Sequence, residues 1–272
     1  MFAKLLKYEW KATGPLIGIL ALALLGLSLL AGGAIRLSQI PTENEMLGVI
    51  LTITAVLGSV FFFLALVCFS FASVLLILYR FYKNKFTDEG YLTFTLPVNS
   101  HQIFLSSWLN LVIWQVICMV VIIASLLLTV SVGGVYPDDR SVFLDMRLIF
   151  QDLFEILGDS AGLRMQVLYI VSMLASWLYG SVLMLTCIVL GAAWAKKHKL
   201  LLAFALYYGI SGVFSVIVSV VSMVVMITGI DNTDPLFSFT ATALSTAGLY
   251  LIMTVAGYFL SVHMMSKRLN LN

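Results

Sequence analysis

The sequence predicts an all-α, polytopic membrane protein: six transmembrane helices, both termini in the cytoplasm, and an N-terminal amphipathic helix lying in the membrane interface. Three observations lead there. Hydrophobic residues make up 61% of the 272-residue chain and charged residues only 10%, whereas soluble domains carry about 25% charged residues. The charges are absent from six long runs. The Lys and Arg that remain gather on one side of those runs.

The uncharged runs are Pro15 to Ile35, Leu47 to Tyr79, Ile103 to Val135, Met165 to Ala195, Leu200 to Ile230 and Leu236 to Ser266. A helix needs about 20 apolar residues to cross a ~30 Å hydrocarbon core, so each run suffices. The second and third hold 33 residues each, roughly 50 Å of helix, and their excess is expected to project into the cytoplasm. The first run is longer than the ~7–15 residue apolar core of a cleaved signal, so it reads as a retained span.

Orientation follows from the basic residues. Lys4, Lys7, Lys11, Arg80, Lys83, Lys85, Lys196, Lys197, Lys199, Lys267 and Arg268 fall on the N-terminal side. Only Arg36, Arg140, Arg147 and Arg164 fall on the other. Short loops rich in Lys and Arg stay in the cytoplasm. The acidic residues agree: Glu9, Asp88 and Glu89 lie inside, and six of the outer ones lie between Asp138 and Asp159. A net charge of +2 gives no reason to expect nucleic acid as a partner.

One membrane domain is expected over 1–272. Within it, residues 1–13 place Phe2, Leu5, Leu6 and Trp10 on one helical face and Lys4, Lys7 and Lys11 on another. That is the pattern of an interfacial helix or of a basic anchor beside the membrane. Gly14-Pro15 then opens the first span, with proline in a first turn where its missing N–H costs little. The other prolines, Pro41, Pro97, Pro137 and Pro235, also lie at span ends. Two small-residue stripes, Ser172/Ser176/Gly180 and Gly212/Ser215/Ser219/Ser222, allow close helix approach. The second is a candidate partner or substrate-path seam, with intramolecular packing as the plainer reading. The outer loop, 136–164, carries Ile149, Phe150, Leu153, Phe154 and Leu157 at helical spacing, as a short amphipathic helix would.

The chemistry-bearing residues are sparse. Cys68, Cys118 and Cys187 lie far apart within spans, and His101, His198 and His263 stand singly at the cytoplasmic boundary. Neither set has metal-ligand spacing. No acid or base sits deep in a span, as proton relays and intramembrane catalysts require. No H-E-x-x-H helix and no G-x-x-x-x-G-K-[ST] loop occurs. No catalytic residue, metal or directly bound cofactor is expected.

One cytoplasmic segment stands out, Arg80 to His101. Thr87 is placed to cap a short helix with Asp88 and Glu89 in its first turn. Tyr91, Leu92, Phe94 and Leu96 are large apolar side chains in a stretch too short to cross a membrane. They read as a docking surface, or as a segment folded back on the chain's own helices or on headgroups.

Asp88-Glu89-Gly90, then Leu92, then Thr95-Leu96-Pro97-Val98 and Ser100, resembles the run after span 2 of bacterial ABC-2 type transporter permeases. The opening Lys4-Leu5-Leu6-Lys7-Tyr8-Glu9-Trp10-Lys11 is similar to their start. The resemblance implies a pair of permeases, identical or related, resting on two copies of a P-loop ATPase that holds the ATP and Mg²⁺. It implies that Asp88, Glu89, Gly90, Tyr91, Leu92 and Phe94 form the coupling helix. It implies export of a peptide, drug, antibiotic or lipid-like substrate across the bacterial cytoplasmic membrane. The acidic outer loop would favour a cationic peptide. Two other readings use the same features: a substrate-capture subunit of an importer, and a non-transporting scaffold or sensor that recruits a cytoplasmic protein.

Overall fold

In a bilayer core every backbone N–H and C=O has to be satisfied within the chain, so long apolar runs fold as helices. The computed structural model describes residues 2–87, 99–134, 147, 151, 160–195, 198–228 and 237–267. Among them are six long helices: α1 (Phe2–Ser38), α2 (Glu45–Phe86), α3 (Ser100–Gly133), α4 (Ser160–Trp194), α5 (Lys199–Thr228) and α6 (Phe237–Lys267). Each is long and apolar enough to cross a membrane, and the described residues hold no strand. The chain is an all-helical, multi-pass membrane protein.

The helix ends have local causes. Asn44 caps α2: its side chain accepts from the Met46 N–H at 3.2 Å and its carbonyl from Gly48 at 3.1 Å. Asn99 plays the backbone part of that role for α3, its carbonyl accepting from Gln102 and Ile103. Gly134, at φ +58°, takes the left-handed conformation that ends a helix without a Cβ penalty.

Besides the start of α4 at Ser160, inside the 136–164 loop, two boundaries differ from the sequence reading. Residues 2–13 are helical and amphipathic, but they run unbroken into the first span. Pro15 lies inside α1 rather than at the start of a new helix. A proline there leaves the Lys11 carbonyl without its usual donor, and neighbouring helices commonly re-satisfy such a turn. One residue on, Arg80 donates to the Ala12 carbonyl at 2.6 Å. The second difference is at the far end of α2, which continues to Phe86 over 42 residues, about 63 Å of helix. Residues 80–86 therefore belong to α2, and Ser100 and His101 to α3.

The chain divides into two compact units, each discontinuous in sequence. One comprises 3–80 and 109–152, the other 1–2, 81–108 and 153–272. In the first, α1 buries Thr13, Ile17, Leu24, Ser28, Ala31 and Gly32, a seam with near-heptad spacing. Small residues bring the backbones together. A Cβ on Gly32 would lie 2.9 Å from the Thr129 carbonyl oxygen of α3. Gln39 Nε2 donates to the Gly133 carbonyl at 3.1 Å and ties the C-terminal ends of α1 and α3. Trp10 and Trp114 close the opposite end, ring centroids 4.9 Å apart.

In the second unit α4 is the enclosed helix, buried on every side between Tyr179 and Ala192, whereas α5 and α6 leave broad apolar faces exposed. A helix apolar all round is what such a position needs. Tyr179, Leu183, Cys187 and Phe214 form the core, with Tyr250 and Met253 against it. Polar contacts lock α4 to α6: Ser261 Oγ donates to Thr186 Oγ1 at 2.9 Å, beside the close approach of Gly257 to Val182. The α4–α5 turn is tight enough that a Cβ on Gly191 would lie 2.7 Å from the Lys199 carbonyl oxygen.

Candidate functional site

The coupling candidates Asp88, Glu89, Gly90, Tyr91, Leu92 and Phe94 lie outside the described residues, as do Pro97 and most of the outer loop. Of that loop, Arg147 and Gln151 are helical and exposed. What the structure does describe is the base from which the segment between α2 and α3 springs, the last turns of α2 and the first turns of α3.

That base is a built feature. The stretch Phe81-Tyr82-Lys83-Asn84-Lys85-Phe86 continues α2 with Phe81 and Lys85 one turn apart on the same face, as i and i+4 spacing dictates. Phe81 and Phe86 meet edge to face, ring centroids 5.6 Å apart. Lys85 is only 3% exposed. Its ammonium donates to the Ile103 carbonyl at 3.1 Å and to the Ser107 hydroxyl. It also sits 4.9 Å from the centroid of the Phe81 ring. The Ser107 hydroxyl donates to the Ile103 carbonyl at 3.1 Å, which leaves its lone pairs for Lys85. Burying a lysine is costly unless its donors are used; here carbonyl, hydroxyl and ring face converge on it.

The start of α3 is held by other helices of its own unit as well. His101 Nδ1 and the Tyr258 hydroxyl of α6 are 3.0 Å apart, and Tyr258 also meets Phe104 edge to face at 5.5 Å. Trp108 Nε1 donates to the Ser181 hydroxyl of α4 at 2.9 Å. The first turns of α3, from His101 to Trp108, thus touch α2, α4 and α6 through named polar pairs, with His101 and Trp108 on one face and Ile103 and Ser107 on the opposite one.

The other sequence candidates lie elsewhere. Phe2, Leu5 and Leu6 are half-buried while Lys4, Lys7, Lys11 and Tyr8 point outward, so the amphipathic face exists. Trp10 is 38% exposed, with its ring against Trp114. The seam of α5 faces out of the chain: Gly212, Ser215 and Ser219 are exposed and Ser222 is half-buried. A Cβ on Gly212 would meet nothing within 4 Å. The seam hydroxyls donate to their own helix, Ser215 to Gly212, Ser219 to Ser215 and Ser222 to Val218. The stripe therefore presents a small, flat surface rather than free donors. Beside it, α5 and Met253 of α6 line an apolar groove of about 420 Å³ around Gly209 and Phe214.

Sequence reasoning missed the Lys85 site, the Arg80–Ala12 contact and the Ser28–Gly32 seam. Lys85 and Arg80 were read only as cytoplasmic charges. The available signal was their spacing: a basic residue one turn from Phe81 inside a continuing helix has an aromatic face to cover it. His101, read as singly solvated, is exposed but bonded to Tyr258. Among the described residues no group of His, Cys, Asp or Glu is placed to hold a metal ion. Cys118 and Cys187 are buried and Cys68 is exposed, all three unbridged. Comparisons with known protein families, with curated proteins and with solved structures found no match.

Proposed function

We propose that the chain is the membrane subunit of an ATP-driven, ABC-2 type exporter of the bacterial cytoplasmic membrane, working in a pair of permeases on two separate ATPase subunits. The observation that carries this reading is the run Asp88-Glu89-Gly90-Tyr91-Leu92 to Pro97-Val98, joining two helices that outreach a bilayer on the Lys- and Arg-rich side. A 42-residue α2 and a 34-residue α3 measure about 63 and 51 Å, against a ~30 Å hydrocarbon core. The surplus is available to reach a cytoplasmic ATPase. Large apolar side chains between the two helices supply a docking surface.

In this mechanism ATP binding to the ATPase favours one arrangement of the paired permeases, and hydrolysis restores the other. ATP must then bind with different free energy in the two arrangements. The coupling segment is where that difference enters the membrane, and the substrate leaves by alternating access. The substrate class is a peptide, drug, antibiotic or lipid-like molecule.

The test is the double substitution Glu89→Ala/Tyr91→Ala, read in native vesicles by ATPase association and by ATP-dependent transport. The reading expects loss of ATPase stimulation and of transport with the chain still inserted. Assembly, stimulation and transport all at wild-type level would refute it.

A further inference from the structure

We propose that Lys85 is a positioning residue that locks the ends of α2 and α3 into one body, so that a load on the segment between them reaches α4 and α6 undivided. The coupling part of this proposal rests on the permease reading; the lock itself does not.

Residues 87–99 join α2 to α3, and chain continuity alone does not fix two helix ends that many residues apart. Lys85 ties them. Its Nζ spans from α2 to the Ile103 carbonyl and the Ser107 hydroxyl, 18 and 22 residues away in sequence, and the Phe81 ring covers it at 4.9 Å. These contacts tie the last turn of α2 to the first turns of α3. At 3% exposure they are shielded from competing water, and charge-assisted bonds of this kind are the strong ones.

The far side of the lock is already attached. His101 meets Tyr258 of α6 and Trp108 meets Ser181 of α4. These contacts bracket Ile103 and Ser107 on the same stretch of α3. A displacement of α3 therefore pulls on α4 and α6, which are themselves joined through Thr186 and Ser261. Without Lys85, α2 loses this tie to that movement. The arrangement passes a push at the cytoplasmic segment to three helices at once, as a discrete two-position element would.

Lys85→Met keeps the apolar stem against Phe81 and removes the ammonium. Spin labels at Lys83→Cys and Asn99→Cys, in a chain with its three cysteines replaced by Ala, read the separation of the helix ends in lipid nanodiscs. Co-purified ATPase activity and its coupling to transport are read in the unlabelled protein. Wild type should give one narrow separation and Lys85→Met a broad one. ATPase association should persist while coupled turnover falls about tenfold, the scale of losing one bond to a charged group. Lys85→Arg, which keeps the donors, should recover part of both. Ser107→Ala, which removes one acceptor and is the milder change, should broaden the separation to a lesser degree. An unchanged distribution in Lys85→Met overturns the lock, and wild-type coupled turnover overturns its coupling role. A wild-type chain carrying no ATPase overturns the permease reading and the coupling role with it, while broadening in Lys85→Met still upholds the lock.

Discussion

At the scale of single residues, close approach and polar satisfaction decide most of what holds each unit together. Gly32 shows the first. With 2.9 Å between its would-be Cβ and a backbone oxygen of α3, even alanine forces the helices apart. Gly32→Ala should destabilise the purified protein by about 1–3 kcal/mol, the range for overpacked sites, measured as a lower thermal midpoint in detergent. Ser181 shows the second. Ser181→Ala strands the Trp108 indole N–H inside the unit and should cost about 1–3 kcal/mol, whereas Trp108→Phe/Ser181→Ala, which removes both partners, should recover much of that loss. A fluorescence melt of the three proteins distinguishes the outcomes. Neither effect was legible in the sequence. A glycine or serine in an apolar run says that a neighbour can come close, and only the fold says which neighbour does.

At the scale of elements the sequence was far more informative. Uncharged runs located all six helices because a span has no alternative to helix, and Asn44 and Gly134 marked ends by ordinary capping chemistry. The α1 boundary was misread because proline position was weighed as it would be in water. The helix continues through Pro15, and Arg80 donates to the neighbouring Ala12 carbonyl. Arg80→Met should therefore lower stability by about 2 kcal/mol, as loss of a bond from a charged group implies. Trp10 and Trp114, in contact near that turn, should report the change as an earlier shift in their emission on heating. The second uncharged run ends at Tyr79, and Arg80, Lys83 and Lys85 follow it. Their helix continues past the first charge, and Lys85 is buried there by Phe81, Ile103 and Ser107.

At the scale of the whole molecule, orientation rests on the basic residues and is open to direct trial. In a chain without its native cysteines, Asn99→Cys should react with a membrane-impermeant maleimide only after cells are opened. Asn44→Cys should react in intact cells. The reverse pattern would invert the topology and place 87–99 outside, where no cytoplasmic ATPase could meet it. The coupling segment is the part of the functional reading that the sequence alone carries, since its motif is local while its neighbours are set by the fold. Its base, held by Lys85, His101 and Trp108, became visible only with the helices in place. The most direct measurement of the central claim is purification of the tagged chain from its own membranes in mild detergent, with identification of its partners and an ATPase assay. The permease reading predicts a stoichiometric P-loop ATPase that is lost when residues 87–96 are replaced by a Gly-Ser stretch of equal length. A pure chain with no ATPase, under conditions that keep such complexes intact, would contradict it.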